Sequence, residues 1–233
     1  MMYKEYYAMI DDDAAREIIL KRWGEADGKH VLVSKLAAVT NIGSLFQGSA
    51  IESVKWMRYF TNLSDISGLF QNCKNLTDVD LSFFNVSNVR RAFGTFQGCS
   101  NMKHVKLNGW DVSKVYSIQN MFLNCSSLEE LDLSGWKNAG HITDFYTAFS
   151  GLKSLTILNL SGWTNTNMSI FAFYGSRIPK KLILYGCKVE TVDFWKNHAG
   201  DFWSGDGTKW PTLHTDDHIW KYANNKWNDI SEK

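Results

Sequence analysis

The sequence contains no apolar stretch long enough to cross a membrane and no excess of charge of either sign. Lys and Arg number 25 against 24 Asp and Glu, which leaves a formal net charge of +1. Such a chain does not as a whole attract polyanions or anionic lipid, and a membrane span needs about 20 apolar residues. We therefore expect no nucleic-acid partner and no membrane insertion.

The N-terminus reads MMYKEYYAMIDDD, which is acidic and has no apolar core, so this segment as it stands does not have the pattern of a signal peptide. Two locations are consistent with this. We expect the protein at the cell surface or secreted if a signal peptide was removed from this chain. Otherwise we expect it in the cytoplasm or in a virion.

Catalytic and cofactor motifs are absent from the sequence. It has no glycine-rich phosphate loop, no G-x-S-x-G and no H-E-x-x-H. The one local histidine cluster, with His214 and His218, would suit a metal ion if it lay on a helix. The flanking segments at 219–222 and 227–230 indicate a β-hairpin instead. We predict that the protein is not an enzyme and has no cofactor and no metal site.

Proline and cysteine are scarce. The two prolines, Pro179 and Pro211, both follow the regular part of the chain. Cys73, Cys99 and Cys125 are equally spaced and match neither a CxxC pair nor a Cys/His cluster. We expect these three to be small buried residues, and a disulfide-stabilised domain is not indicated.

What the sequence does contain is a repeat. Residues 107–136 read LNGWDVSKVYSIQNMFLNCSSLEELDLSGW, and shifted copies lie on both sides. Two apolar positions recur with a period in the twenties: Phe46, Phe70, Phe96, Phe122, Phe149 and Phe173, and then Leu81, Leu107, Leu133, Leu160 and Leu184. A period of this length predicts stacked units, none of which can bury its apolar side chains alone.

A leucine-rich repeat with one strand per unit fits this pattern best. Val115, Ile118, Met121 and Phe122 have the spacing of a short helix, and strands are predicted at 77–82, 103–108, 129–134, 156–161 and 181–185. The predicted fold class is α/β, a right-handed leucine-rich-repeat solenoid of about six coils. It would have a parallel sheet on one face, short helices on the other, an N-terminal helical cap and a C-terminal β-hairpin cap.

Three segments follow from this interpretation. Residues 1–38 form the N-terminal cap, with a helix at 11–23 that begins in three aspartates and ends before Gly24. Residues 39–188 form the solenoid. Residues 189–233 form a Trp-rich C-terminal cap, with an irregular strand at 192–195, a loop at 197–212 and then the hairpin.

An aromatic slot lies three positions after the strand apex in the regular repeats. This slot holds Tyr59, Phe84, Trp110, Trp136 and Trp163. A regular aromatic stripe is either a platform on which sugars stack or part of the core. We favour the core, because stacked repeats commonly bury such stripes.

The repeats resemble those of the BspA-like leucine-rich repeat family of Bacteroides-type surface proteins. The resemblance rests on the segment NMFLNCSSLEELDLSGW at 120–136 and on WGEADG and KLAAVTNIGSLFQG near the N-terminus, and it covers roughly residues 11–187. It implies a protein used for binding or adhesion. Members often carry an EF-hand-like calcium loop, but residues 24–35 lack the oxygen ligands and end in Lys35 instead of glutamate. We therefore expect no calcium to bind there.

Two surfaces are candidates for binding. The first consists of outward strand positions, where side chains can vary without disturbing the core. These positions include Asp80, His104, Lys106, Glu130, Asp132 and Asn159, among which Asp80, Lys106 and Asp132 are expected to be lateral neighbours. The second is the tail, where a turn at 224–225 would pair Tyr222 with Trp227 beside Trp220. The alternatives are a solvated sheet and aromatic residues that only cap the core.

These observations predict a non-enzymatic recognition or adhesion protein that binds a protein or a glycan through one of the two surfaces. The alternative function is a structural component of a virion or phage tail, which the missing signal peptide favours.

Overall fold

The structure, a computed structural model, describes residues 6–163, 170–173, 181–186, 212–215, 218–223, 226–229 and 231. The predicted strand at 192–195 and the predicted loop at 197–212, except Thr212, lie outside these residues. Two α-helices come first, α1 at Asp13–Trp23 and α2 at Val33–Ala37. The strands are β1 at Asp78–Asp80, β2 at His104–Lys106, β3 at Glu130–Asp132, β4 at Ile157–Asn159, β5 at Lys181–Ile183, β6 at Thr212–His214, β7 at Ile219–Ala223 and β8 at Lys226–Asp229. Short 3₁₀ turns lie at Lys55–Tyr59, Ala139–His141 and Ile170–Phe173.

Helix α1 is where the sequence predicts one, and Asp12 is its N-cap. Asp12 Oδ1 accepts the backbone N–H of Ala15 at 2.8 Å, which satisfies one of the free amides of the first turn. Asp12 Oδ2 accepts two further backbone N–H groups, from Glu52 at 2.7 Å and Ser53 at 2.9 Å. The buried carboxylate therefore joins α1 to the first repeat.

The strands form two separate sheets. β1 pairs in parallel with β2 and places Val79 opposite Val105. β3, β4, β5 and β6 pair in parallel in that order, and β7 and β8 then complete the second sheet in antiparallel orientation. The middle residue of each of β1 to β5 is buried, which places the core on one side of these strands.

The predicted α/β right-handed leucine-rich-repeat solenoid of about six coils is wrong. Both α-helices precede residue 38, so the described repeats carry none of the short helices predicted opposite the sheet. The repeat strands are three residues long and divide between a two-stranded and a six-stranded sheet, instead of forming one continuous parallel sheet.

The segment at 115–122, predicted as a helix, is a run of tight turns. Met121 N bonds to Ile118 O at 3.0 Å, three residues back, whereas an α-helix needs bonds four residues back. Asn120 has a φ of 58°, a left-handed conformation that interrupts a helix. Turns that advance by three residues bring Ile118 and Met121 to the core at nearly the helical spacing. The apolar pattern alone therefore could not distinguish the two.

Alternate amides of these turns donate to the neighbouring repeat. One such segment bonds from Ile118 N to Asp144 O (3.0 Å), Asn120 N to Tyr146 O (3.0 Å), Phe122 N to Ala148 O (2.9 Å) and Asn124 N to Ser150 O (2.8 Å). Backbone groups buried away from water must find partners, and here the partners are in the next repeat. The repeats are thus held together by their main chains as well as by the core.

The core contains two columns of aromatic rings. The repeated phenylalanines stack from Phe46 to Phe173 with ring centroids between 5.0 Å and 6.2 Å apart. Trp110, Trp136 and Trp163 stack in the second column at 5.8 Å and 5.7 Å. These three tryptophans are buried. The prediction that the tryptophans of the aromatic slot belong to the core is confirmed, and these rings are not a platform for sugars.

The last two strands form the predicted hairpin. Strands β7 and β8 are antiparallel, and Tyr222 is the Cα partner of Trp227. The predicted pairing of these two residues is therefore confirmed. None of the helices among the described residues is both long and apolar enough to cross a bilayer.

Candidate functional site

The outward side chains of β1, β2 and β3 form the first candidate surface, here termed the strand face. In each strand the middle residue is buried and its two neighbours are exposed. The strand face consists of Asp78, Asp80, His104, Lys106, Glu130 and Asp132. Four carboxylates against one ammonium make this surface acidic at neutral pH. Asn159, the remaining predicted residue, is half-buried in β4 and is the Cα partner of Asp132.

The register brings Asp80 and Lys106 together. They are Cα partners, and Lys106 Nζ lies 3.9 Å from Asp80 Oδ2, with side chains 70% and 54% exposed. Asp78 and His104 form a similar pair at 3.9 Å. Exposed pairs of this kind contribute little to stability. Lys106 and Asp132 belong to different sheets, so strand pairing does not extend the predicted row of three to Asp132, although Glu129 N bonds to Lys103 O at 3.2 Å and keeps β3 beside β2.

Three predicted site residues also close turns at the ends of their strands. Asp80 Oδ1 accepts from Ser82 N at 3.1 Å and from Ser82 Oγ at 2.7 Å. These bonds hold the pKa of Asp80 below its usual value, with a smaller effect from Lys106. Asp132 and Asn159 bond in the same way to the serines two residues further on. The recurring Asp/Asn-x-Ser pattern is the sequence signal for such turns, and these side chains are partly committed to the fold.

The tail candidates lie together in the hairpin, with Trp220 and Tyr222 in β7 and Trp227 in β8. β3 begins the six-stranded sheet and β8 ends it. Strands β4 to β6 therefore separate the tail from β3, and the two candidates are distinct surfaces.

The two histidines of the cluster are not on a helix, since His214 ends β6 and His218 directly precedes β7. His214 Nε2 is 3.0 Å from Thr212 Oγ1, and burial lowers the pKa of His214, with a further contribution from Lys181. His218 Nδ1 lies 2.5 Å from Asp229 Oδ2. Across the described ranges of the chain, no three His, Cys, Asp or Glu side chains are grouped so that they could hold a metal ion.

The carboxylates of Glu25 and Asp27 in the loop at 24–35 contact other groups of the same segment. Lys35 Nζ lies 2.7 Å from Glu25 Oε1. Asp27 contacts the His30 ring at 2.5 Å and accepts the backbone N–H groups of Lys29 and His30 at 2.8 Å and 3.1 Å. The His30 ring and these amides lower the pKa of Asp27 to about 2. The position that closes a calcium loop holds an ammonium already paired with a carboxylate, so we still expect no calcium to bind here.

The equally spaced cysteines are buried and free, as predicted. Each thiol donates to a phenylalanine carbonyl of the preceding repeat. These bonds join Cys73 Sγ to Phe46 O (2.9 Å), Cys99 Sγ to Phe70 O (3.0 Å) and Cys125 Sγ to Phe96 O (3.0 Å). Burial raises the pKa of all three thiols, so they stay protonated and are poor nucleophiles.

We expect these thiols to resist alkylation in the folded protein. In a Cys187→Ala variant, which leaves Cys73, Cys99 and Cys125, iodoacetamide at mildly alkaline pH should label almost nothing until urea unfolds the chain. Cys99→Ser should keep a donor for Phe70 O and unfold at a higher urea concentration than Cys99→Ala, which leaves that carbonyl without its partner. Labelling of the native protein at the rate of a free thiol would contradict the buried positions.

The sequence interpretation missed a second flat surface, which lies just before the turns of each repeat. Buried and outward residues alternate there, and the buried column consists of Leu63, Val89, Val115 and Ile142. Backbone hydrogen bonds join these segments from one repeat to the next. They run from Arg90 N to Ser64 O (2.9 Å), from Tyr116 N to Arg90 O (3.4 Å) and from Thr143 N to Tyr116 O (3.0 Å). The outward residues, here termed the cationic face, are Asn62, Ser64, Asn88, Arg90, Lys114, Tyr116, His141 and Thr143.

A signal for the cationic face is present in the sequence. The triplets N-L-S, N-V-R, K-V-Y and H-I-T place one apolar residue between two polar or aromatic ones, which is the period of an extended segment. Val115 also begins the helical spacing that predicts a helix at 115–122, and this spacing hides the alternation of buried and outward residues at 114–116.

One protein family has a sequence pattern that matches the repeats. The family described as Mycoplasma protein of unknown function, DUF285, matches residues 40–163, more than half of the chain and the part that carries both the strand face and the cationic face. No curated protein matches the chain. The chain therefore belongs to the family described as Mycoplasma protein of unknown function, DUF285.

Proposed function

We propose that this chain is a non-enzymatic recognition protein that binds its partner through the strand face. The observation that carries the proposal is the alternation in β1, β2 and β3. Val79, Val105 and Leu131 are buried and hold the fold, while the residues on either side are exposed. Because these side chains are exposed and the buried residues hold the fold, their identity can match a binding partner while the buried residues stay the same. The resemblance to BspA-like surface proteins, which stays a prediction, supports the same function.

The charge of the strand face indicates which partner suits it best. Among proteins and glycans, the partners predicted from the sequence, a protein that presents Lys or Arg side chains is favoured by the excess of carboxylates. Complementary charge of this kind raises the rate of association and excludes acidic competitors. Asp78 and Glu130 are the best probes, because neither accepts the serine bonds that occupy Asp80 and Asp132.

Charge reversal on the strand face tests the proposal. Wild-type protein is passed over immobilised basic proteins, acidic proteins and a glycan array. We expect binding to basic proteins, and the double variant Asp78→Lys with Glu130→Lys should weaken it about tenfold or more. The matched control reverses two exposed carboxylates near the N-terminus, Asp11→Lys with Glu17→Lys.

A melting curve for each variant separates binding from folding. Lost binding at an unchanged melting midpoint in the strand-face variant alone supports the proposal. If instead Trp220→Ala with Trp227→Ala removes binding and the strand-face variant retains it, the tail is the site and the proposal fails. It also fails if the wild-type protein binds none of these surfaces, a result that would favour a structural role.

A further inference from the structure

We propose that the cationic face is a second binding site, and that it takes an acidic polysaccharide, a chain of sugars that carries carboxylate or sulfate groups. This proposal does not rest on the strand face. It concerns a different surface of the same repeats, with the opposite charge.

The cationic face has positive charge and no carboxylate of its own. Arg90 and Lys114 are exposed, and neither forms an ion pair with a carboxylate in the part of the chain that the structure describes. Lys114 Nζ instead lies 2.7 Å from Asn88 Oδ1. The adjacent Arg91 is neutralised by Asp65, whose Oδ2 lies 2.6 Å away. An anionic ligand therefore finds two uncompensated cations here and repulsion at the strand face.

The other side chains of the cationic face suit sugars. Asn88 Nδ2 donates to Asn62 Oδ1 at 3.4 Å, so a row of amides that can both donate and accept runs across neighbouring repeats. Tyr116 follows Lys114 by two residues across the buried Val115, and 51% of it is exposed. An aromatic ring with a polar tip packs against the apolar face of a sugar and still bonds to a hydroxyl. Repeats joined by main-chain hydrogen bonds are about 4.8 Å apart, comparable with one sugar ring, so a linear polysaccharide can contact one row of side chains per sugar.

Other anionic partners fit less well. Anionic membranes are recognised by clusters of about four to eight Lys or Arg, and the cationic face has two such residues. Duplex DNA requires a similar number of phosphate contacts. A polymer of hydroxyl groups with spaced negative charges needs fewer cations.

The test uses polygalacturonate as the acidic polysaccharide, with neutral dextran, polyglutamate and phosphatidylserine vesicles as the other probes. We expect the wild-type protein to bind polygalacturonate in preference to all three, and binding should weaken as ionic strength rises. Arg90→Gln with Lys114→Gln should weaken binding about tenfold or more. The matched control, Lys74→Gln with Lys103→Gln, removes the same charge from exposed lysines that belong to neither face and should bind like the wild type.

Tyr116 distinguishes a sugar site from simple attraction between charges. Tyr116→Ala should weaken binding to polygalacturonate, and Tyr116→Phe, which keeps the ring, should restore most of it. Equal binding to polyglutamate or to vesicles overturns the proposal, as does equal loss in the Lys74 and Lys103 control. No binding of the wild-type protein to polygalacturonate also overturns it. Because the strand-face variants do not touch Arg90, Lys114 or Tyr116, failure here leaves the proposed function of the strand face standing.

Discussion

Phe96→Ala should lower the free energy of unfolding by about 3–5 kcal/mol, a large part of the stability of an ordinary domain. Phe96 is fully buried, and its ring lies between those of Phe70 and Phe122, at centroid distances of 5.7 Å and 5.6 Å. Alanine would leave a cavity in the middle of the column, and the stacked repeats on either side are joined by main-chain bonds that limit their collapse. Urea unfolding followed by circular dichroism measures the change.

The control for this variant lies three residues earlier in the same repeat. Phe93 is 39% exposed, so Phe93→Ala removes as many atoms from the chain and opens no cavity. We expect it to change the free energy of unfolding by roughly 1 kcal/mol or less. Similar losses for the two variants would mean that the phenylalanine column does not hold the repeats together.

Asp12→Ala should lower the free energy of unfolding by about 2–4 kcal/mol. The change removes the N-cap of α1, which contributes about 1 kcal/mol, and it deprives Glu52 N and Ser53 N of their acceptor. The first repeat loses its attachment to the helix at the same time. Thermal and urea unfolding should both show the loss.

Two variants separate these contributions. Asp12→Asn keeps one amide oxygen, which can serve either Ala15 or the pair Glu52 and Ser53, so it should lie between wild type and Asp12→Ala. Asp11→Ala changes an exposed neighbour and should have little effect. If Asp12→Asn is as stable as wild type, the carboxylate does not serve both sides.

The distribution of charge over the surface shows how far the candidate sites could be predicted from the sequence. The net charge of +1 led to the expectation that a polyanion would not be attracted to the protein as a whole. The fold separates the charges, because Asp78, Asp80 and Glu130 lie on the strand face and Arg90 and Lys114 on another. A net value near zero is thus compatible with two oppositely charged surfaces. Most strand-face residues were found from the sequence, since their alternation with buried residues has the period of a strand.

Several features of the fold could be predicted from the sequence alone. The repeat period, the buried phenylalanines and tryptophans, the buried thiols and helix α1 all follow from local pattern, and the structure shows each of them. Their common physical reason is apolar burial, because an apolar residue at every repeat has to lie in the core whatever the path of the chain between them.

The tertiary structure decided where the backbone hydrogen bonds go. Apolar spacing at 115–122 satisfies a helix and a run of three-residue turns equally well, and the turns form because alternate amides such as Asn120 N bond to the neighbouring repeat. Pairing between repeats also gives strands of only three residues in β1 to β5 and places Lys106 and Asp132 in different sheets. Each bond joins groups about 26 residues apart in the sequence. A local pattern therefore determines which residues are buried, and only the neighbouring repeat determines the conformation in which they are buried.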